Sequence, residues 1–174
     1  PVVGTLTCRE NGLRFEVDPV RGQKTGFFLD QRDNRARVER LARGKRVLNV
    51  FSYNGGFSLA AARGGAVEVT SLDQSGPALA SSQRNFDLNA DIPAVATARH
   101  LTLEGDAFEE MAKLVKQGRR FDLVIVDPPA FAVRRSQVPG ALSAYGRLAH
   151  LAVSLLVLGG DIVLASCSNP VFPE

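Results

Sequence analysis

Val47-Leu48-Asn49-Val50-Phe51-Ser52-Tyr53-Asn54-Gly55-Gly56-Phe57 opens as an apolar run, breaks on a glycine pair and continues into helix-forming residues. Glycine tolerates positive φ and lets other groups approach the backbone, so the stretch reads as a strand, a tight turn and a helix start near Gly56. In a doubly wound sheet such a turn makes the first crossover, and ligands meet the chain at the carboxyl end of its strand. The motif is not GxGxxG. Taken alone, it fits an ordinary strand-to-helix turn equally well.

The pattern repeats toward the carboxyl end. Residues 67–72 form a second apolar run with a helix from about Pro77, and residues 98–103 a third with a helix from about Ala107. Residues 123–126 make a fourth, followed by a helix over about 142–156, and residues 162–165 a fifth. Gly64-Gly65 and Gly159-Gly160 read as helix stops. This alternation predicts an α/β fold, a Rossmann-like parallel sheet with helices on both faces. Toward the amino end, residues 5–18 alternate apolar and polar about Glu10-Asn11-Gly12. Asn-Gly favours the positive φ values of a two-residue turn, which predicts an N-terminal β-hairpin with Cys8 as a half-buried strand residue. Residues 1–40 are expected to hold the hairpin and a basic segment, and residues 41–174 the sheet, in one compact unit.

The chain has 174 residues, 45% hydrophobic and 22% charged, which suits one globular domain and excludes a disordered chain. No apolar run reaches the roughly 18 residues of a membrane span, and no basic-then-apolar leader opens the chain, so a soluble cytoplasmic protein with no membrane partner is expected. Two cysteines, Cys8 and Cys167, and two histidines leave no disulfide framework and too few ligands for a zinc site. No metal is expected. The chain starts without Met and stops just after an apolar segment. Both ends therefore read as cut, and the sheet as truncated after its fifth strand.

Four further features lie at predicted strand ends, the edge that lines the ligand crevice. Asp73 closes the second strand 17 residues beyond Gly56, where a carboxylate accepts from ribose hydroxyls. With Asn49, Phe51, Tyr53, Gly55 and Gly56 of the turn, it points to an adenosine-containing cofactor. Capping of the next helix is compatible with that role. Asp106, after the third strand, suits an adenine amino group and a helix N-cap equally. The fourth strand delivers Asp127-Pro128-Pro129-Ala130-Phe131, a carboxylate on a stiffened exit with an aromatic four residues on, fit to bond and stack a flat base. The fifth runs into Ser166-Cys167-Ser168, a thiol that is either a nucleophile or packing. Separately, nine basic residues but three acids fall between Arg21 and Arg46, a footprint for phosphates or a solvated helix face.

Lys24-Thr25-Gly26-Phe27-Phe28-Leu29-Asp30-Gln31-Arg32-Asp33-Asn34-Arg35, the 49–57 turn, Asp127-Pro128-Pro129-Ala130-Phe131 and Ser166-Cys167-Ser168 together resemble the bacterial large-subunit ribosomal RNA 5-methylcytosine methyltransferases. These are class I S-adenosylmethionine-dependent enzymes, and the resemblance spans nearly the whole chain. It implies S-adenosylmethionine as cofactor and ribosomal RNA as partner. The cofactor would lie against the 49–56 turn, Asp73, Asp106 and Asp127. Cys167 would be the nucleophile, Asp127 would hold the base edge, and Pro128, Pro129, Phe131, Arg32 and Arg35 would contact the RNA. The family usually has a seven-stranded sheet preceded by a small RNA-binding domain of the PUA type, for which this chain has no room. Ala130 stands where some relatives carry a second cysteine, so a single-thiol mechanism is expected. Three other readings stay open: a purine or exocyclic-amine methyltransferase needing no thiol, a nicotinamide-dependent oxidoreductase, and a non-catalytic RNA-binding fragment.

Overall fold

Asn11 and Gly12 adopt φ values of 49° and 87°, the left-handed pair that closes a two-residue hairpin turn. The turn joins β1 (Leu6–Glu10) to β2 (Leu13–Val17) in antiparallel register, with Glu10 opposite Leu13. The computed structural model describes residues 4–20, 26–132 and 134–165. A 3-10 turn at Leu29–Gln31 leads into α1 (Arg32–Leu41). The remaining elements are β3 (Arg46–Val50), α2 (Gly56–Arg63), β4 (Glu68–Asp73), α3 (Gly76–Leu88), α4 (Pro93–Thr97), β5 (Arg99–Glu104), α5 (Ala107–Lys116), β6 (Phe121–Val126), α6 (Val138–Leu155) and β7 (Leu156–Leu164).

The five later strands form one parallel sheet in the order β5-β4-β3-β6-β7. The chain therefore winds outward from β3 to β5, crosses back, and winds outward again from β6 to β7. Right-handed crossovers place the first set of helices on one face and the second set on the other. Two apolar layers record this. Val47, Val69, Leu123 and Ile125 pack with the hairpin, α1, α2, α3 and α4, whereas Leu48, Val50, Leu72, Val124 and Val126 pack with α5 and α6. The order reverses between β3 and β6, so the crevice opens at their carboxyl ends.

Two glycine pairs that look alike in sequence behave differently. Gly64 and Gly65 end α2 in a Schellman motif, with Ala66 N donating to Ala61 O at 3.1 Å and Gly65 N to Ala62 O at 3.0 Å, and with Gly65 at a φ of 90°. Gly159-Gly160 is not the expected helix stop. α6 ends at Leu155, and the pair lies inside β7, where Gly159 has a φ of 77° and the register against β6 shifts between Phe121 and Leu123. Positive φ serves a strand irregularity as well as a helix end, and the β-forming residues Val157 and Ile162 on either side select the strand.

The hairpin is joined to α3 by side chains that imitate a neighbouring strand. Asn85 accepts from Glu16 N at 2.7 Å, while Asn89 accepts from Arg14 N at 2.9 Å and donates to Arg14 O at 2.7 Å. Both asparagines are buried, so an unpaired strand edge in the core finds its partners one helical turn apart.

Candidate functional site

The turn after β3 bends the chain sharply at the crevice edge. Phe51, Tyr53 and Gly55 have φ values of 60°, 48° and 78°. Two left-handed non-glycine residues cost on the order of 1–3 kcal/mol each, so their neighbours must hold them. Ser52 N donates to Leu72 O at 3.0 Å, Tyr53 N to Asp73 Oδ2 at 2.8 Å, and Asn54 Nδ2 to Gly26 O at 3.1 Å, while Asn85 Nδ2 donates to Asn54 O at 2.9 Å. A Cβ on Gly55 would come within 2.0 Å of Ser82 Oγ, which excludes any side chain there.

Asp73 ties two strand-end turns together. Its Oδ2 accepts from Tyr53 N, and its Oδ1 accepts from Ser75 N at 2.9 Å. Each carboxylate oxygen offers two acceptor sites, so one per oxygen stays available for a hydroxyl at the half-buried tip of β4. Asp106 is exposed at the tip of β5 and caps α5, accepting from Phe108 N at 2.9 Å and Glu109 N at 3.1 Å. The donors and acceptors suit S-adenosylmethionine on this structure's own terms. The Ser52 hydroxyl is buried without a hydrogen-bond partner among the described residues, and Gly55, the N-cap residue of α2, supplies no side chain to that helix's first amides.

Asn49, expected beside the cofactor, has its side chain on the helix-covered face of the sheet. It sits within β3 between Ser71 and Ile125, its side chain wholly buried on the α2 face and donating to Ser58 Oγ at 2.9 Å. A strand alternates faces, and Asn49 falls on the core side two residues before the ligand edge begins.

β6 pairs with β3, Val126 opposite Val50, and the next residue, half-buried Asp127, directs its N toward Val50 O at 3.4 Å. The carboxylate is therefore carried beside the strained turn. Pro128 is buried, whereas Pro129 is exposed. Phe131 packs within the protein, its ring 5.0 Å from Tyr145 and 6.4 Å from Phe108. A cavity of about 180 Å³ opens beside it, lined by Val126, Pro128, Tyr145, Leu148, Leu164 and Ala165. Ala165 N donates to Val126 O at 3.0 Å, which keeps the chain leaving β7 against β6. Ser166, Cys167 and Ser168 lie outside the described residues, as do Lys24 and Thr25.

The basic segment is dispersed by folding. Arg35 is a structural cation: its side chain, 5% exposed, makes two 2.7 Å bonds to Glu10 and donates to Phe28 O at 2.9 Å. That corrects its assignment to RNA, because a buried guanidinium held by a carboxylate has no free face for a phosphate. Arg32 is exposed and donates to Asn11 Oδ1 at 3.1 Å. Lys45 pairs with Asp161 and Arg46 with Asp122 at the amino edge of the sheet, away from the crevice. The sequence reading also missed Tyr145. It shares a face of α6 with Leu148, a spacing visible in sequence, but only the β6–β7 pairing turns that face toward a cavity.

Residues 2–173 match the family described as S-adenosylmethionine-dependent methyltransferase. The chain is 55% identical over 170 residues to a Deinococcus radiodurans protein named ribosomal RNA large subunit methyltransferase, covering 98% of this chain and 41% of that protein. It is 42% identical over 165 residues to ribosomal RNA large subunit methyltransferase I of Vibrio vulnificus, covering 95% of this chain and again 41% of the relative. The chain thus spans about two fifths of the length of these relatives. Among solved structures, a methyltransferase complexed with SAH superposes with a TM-score of 0.81 at 32% identity, over 94% of this chain and 42% of the other. A Streptococcus mutans protein described as SAM-dependent gives 0.85 at 30%, over 99% and 44%.

Proposed function

Since the chain belongs to the S-adenosylmethionine-dependent methyltransferase family, we propose that it is the catalytic part of a ribosomal RNA large-subunit methyltransferase and forms 5-methylcytosine through a covalent Cys167 adduct. Likeness over nearly the whole chain to proteins named for that RNA is the observation that carries the substrate. The chemistry is supported by the pairing of β6 with β3, which brings Asp127 to the turn anchored by Asp73. S-adenosylmethionine, when bound, supplies an electrophilic methyl group. Gly55, Gly56 and the Asp73 carboxylate would hold it, with Asp106 at the rim, and the cytoplasm is where such an enzyme meets its RNA.

Cytosine carbon 5 is too weak a nucleophile to be alkylated unaided. In this reading the Cys167 thiolate adds to carbon 6, and the ring electrons shift to make carbon 5 enamine-like. Asp127 holds the edge at nitrogen 3 and favours the adduct. Once carbon 5 carries the methyl group, a solvent hydroxide or water takes the carbon 5 proton, the C–H pair re-forms the 5,6 double bond, and the sulfur–carbon bond breaks with its pair on sulfur to restore the thiolate. The base must leave its stack to reach the site, at a cost of a few kcal/mol that is lowest in single-stranded or looped RNA.

RNA carrying 5-fluorocytosine tests the scheme, because fluorine cannot leave as the proton does. A denaturing gel of the full-length enzyme should show a protein–RNA band that disappears in Cys167→Ala, while calorimetry shows S-adenosylhomocysteine affinity within about twofold of the unaltered protein. Methylation by Cys167→Ala at a comparable rate would defeat the covalent scheme and favour transfer to a purine or an exocyclic amine.

A further inference from the structure

We propose that a single-stranded stretch of the RNA lies along the exposed side of α6 and the 3-10 turn before it (Arg135–Gln137), held by Arg134, Arg135 and Arg147. The proposal rests on the RNA methyltransferase reading and assigns the surface through which the substrate reaches the site.

Charge is the first observation. Residues 128–160 contain three arginines and His150 but no Asp or Glu, in a chain that elsewhere carries 18 acids. Arg134, Arg135 and Arg147 are exposed, and none enters an ion pair among the described residues. Among the described cations of residues 26–46, several are spent differently. Arg35, Lys45 and Arg46 are paired. Arg40 and Arg43 flank the end of α1 at Leu41, just before β3 begins, so they stand at the amino edge of the sheet. Five strand residues, roughly 16 Å, separate that edge from the crevice.

The second observation is a row of rings leading inward. The Arg147 guanidinium lies 4.8 Å from the Phe108 ring centre, Phe108 lies 6.4 Å from Phe131, and Phe131 lies 5.0 Å from Tyr145. Tyr145 and Pro128 line the cavity at the end of β6. A planar cation stacked on a ring, beside half-exposed aromatics and unpaired arginines, is the arrangement that receives unstacked bases and their phosphates together. A duplex keeps its base faces stacked, so the occupant is a single strand.

The test compares two full-length variants: Arg134→Gln/Arg135→Gln/Arg147→Gln, and Arg37→Gln/Arg40→Gln/Arg43→Gln on and just after α1. The probe is a fluorescein-labelled, unstructured, mixed-sequence RNA strand, with heparin as a second polyanion. The first variant should bind the strand about tenfold more weakly at low salt. Its log-log salt slope should flatten by about 2, at about 0.7 per lost single-strand contact. S-adenosylhomocysteine affinity should hold in both variants, which shows that they fold. Strand affinity unchanged in the first variant, or lost only in the second, overturns this surface while the RNA reading stands. Heparin affinity falling in parallel overturns a site for single strands in favour of a general cationic field. An unaltered protein that binds S-adenosylhomocysteine but no RNA overturns the functional reading, and this surface with it.

Discussion

At the scale of single residues, the site is built from groups that hold backbone as well as ligand. Asp73 binds two amides from different turns, so it sets the shape of the crevice before any cofactor arrives. Asp73→Asn puts a donor where one of those amides already donates. It should lower unfolding free energy by roughly 1–2 kcal/mol and weaken S-adenosylhomocysteine together with it. Urea denaturation and calorimetry check this, and a variant of unchanged stability would leave Asp73 with a ligand role alone. Arg35 carries the same lesson. Its spacing in a basic run reads as surface, but its partner Glu10 is 25 residues away across the hairpin, and no local pattern reveals a pairing at that separation. Cys8 is the reverse case, legible as a half-buried strand thiol. Burial, followed by the nearby Glu10 carboxylate, pushes its pKa up, which disfavours the reactive thiolate.

At the scale of elements, a polar seam runs through the apolar layer between sheet and helices. Asn49 donates to Ser58, Ser58 shares a 2.7 Å bond with Ser71, and Ser71 meets His100 Nε2 at 2.9 Å, with Gln83 at the other ring nitrogen. Phe86 lies flat on the imidazole at 3.8 Å. Loss of water around this ring lowers the His100 pKa to about 4, against a smaller upward pull from Asp87. The unfolded chain, with a histidine pKa of about 6.5, then binds the proton more readily. Stability should therefore be full above about pH 7 and decline by at most about 3 kcal/mol as pH falls to about 4. His100→Gln should flatten that decline in urea titrations, and an unaltered slope would assign acid sensitivity to other groups. Element types were readable because apolar periodicity and turn glycines act locally. The early start of β7 and the neighbours of Phe131 were not, since both depend on β6 and β7 meeting across an eighteen-residue helix.

At the scale of the whole molecule, the sheet reverses direction at β3, and each half covers a different face. The strand β3 meets β4 after a short crossover, with Val47 opposite Val69, but it waits for Leu123 to meet β6. Loop closure favours near partners, so the β3–β5 half should assemble first. Pulse-labelled hydrogen exchange during refolding would show β4 amides protected before those of β6 and β7; simultaneous protection would mean the halves condense together. During synthesis this order has a cost. Until α5 and α6 emerge, Leu48, Val50 and Leu72 face solvent on an unfinished sheet, and such a surface invites aggregation or a chaperone. The reversal that opens a crevice for chemistry thus also leaves a nascent chain half-dressed, dependent on the speed with which its second half is delivered.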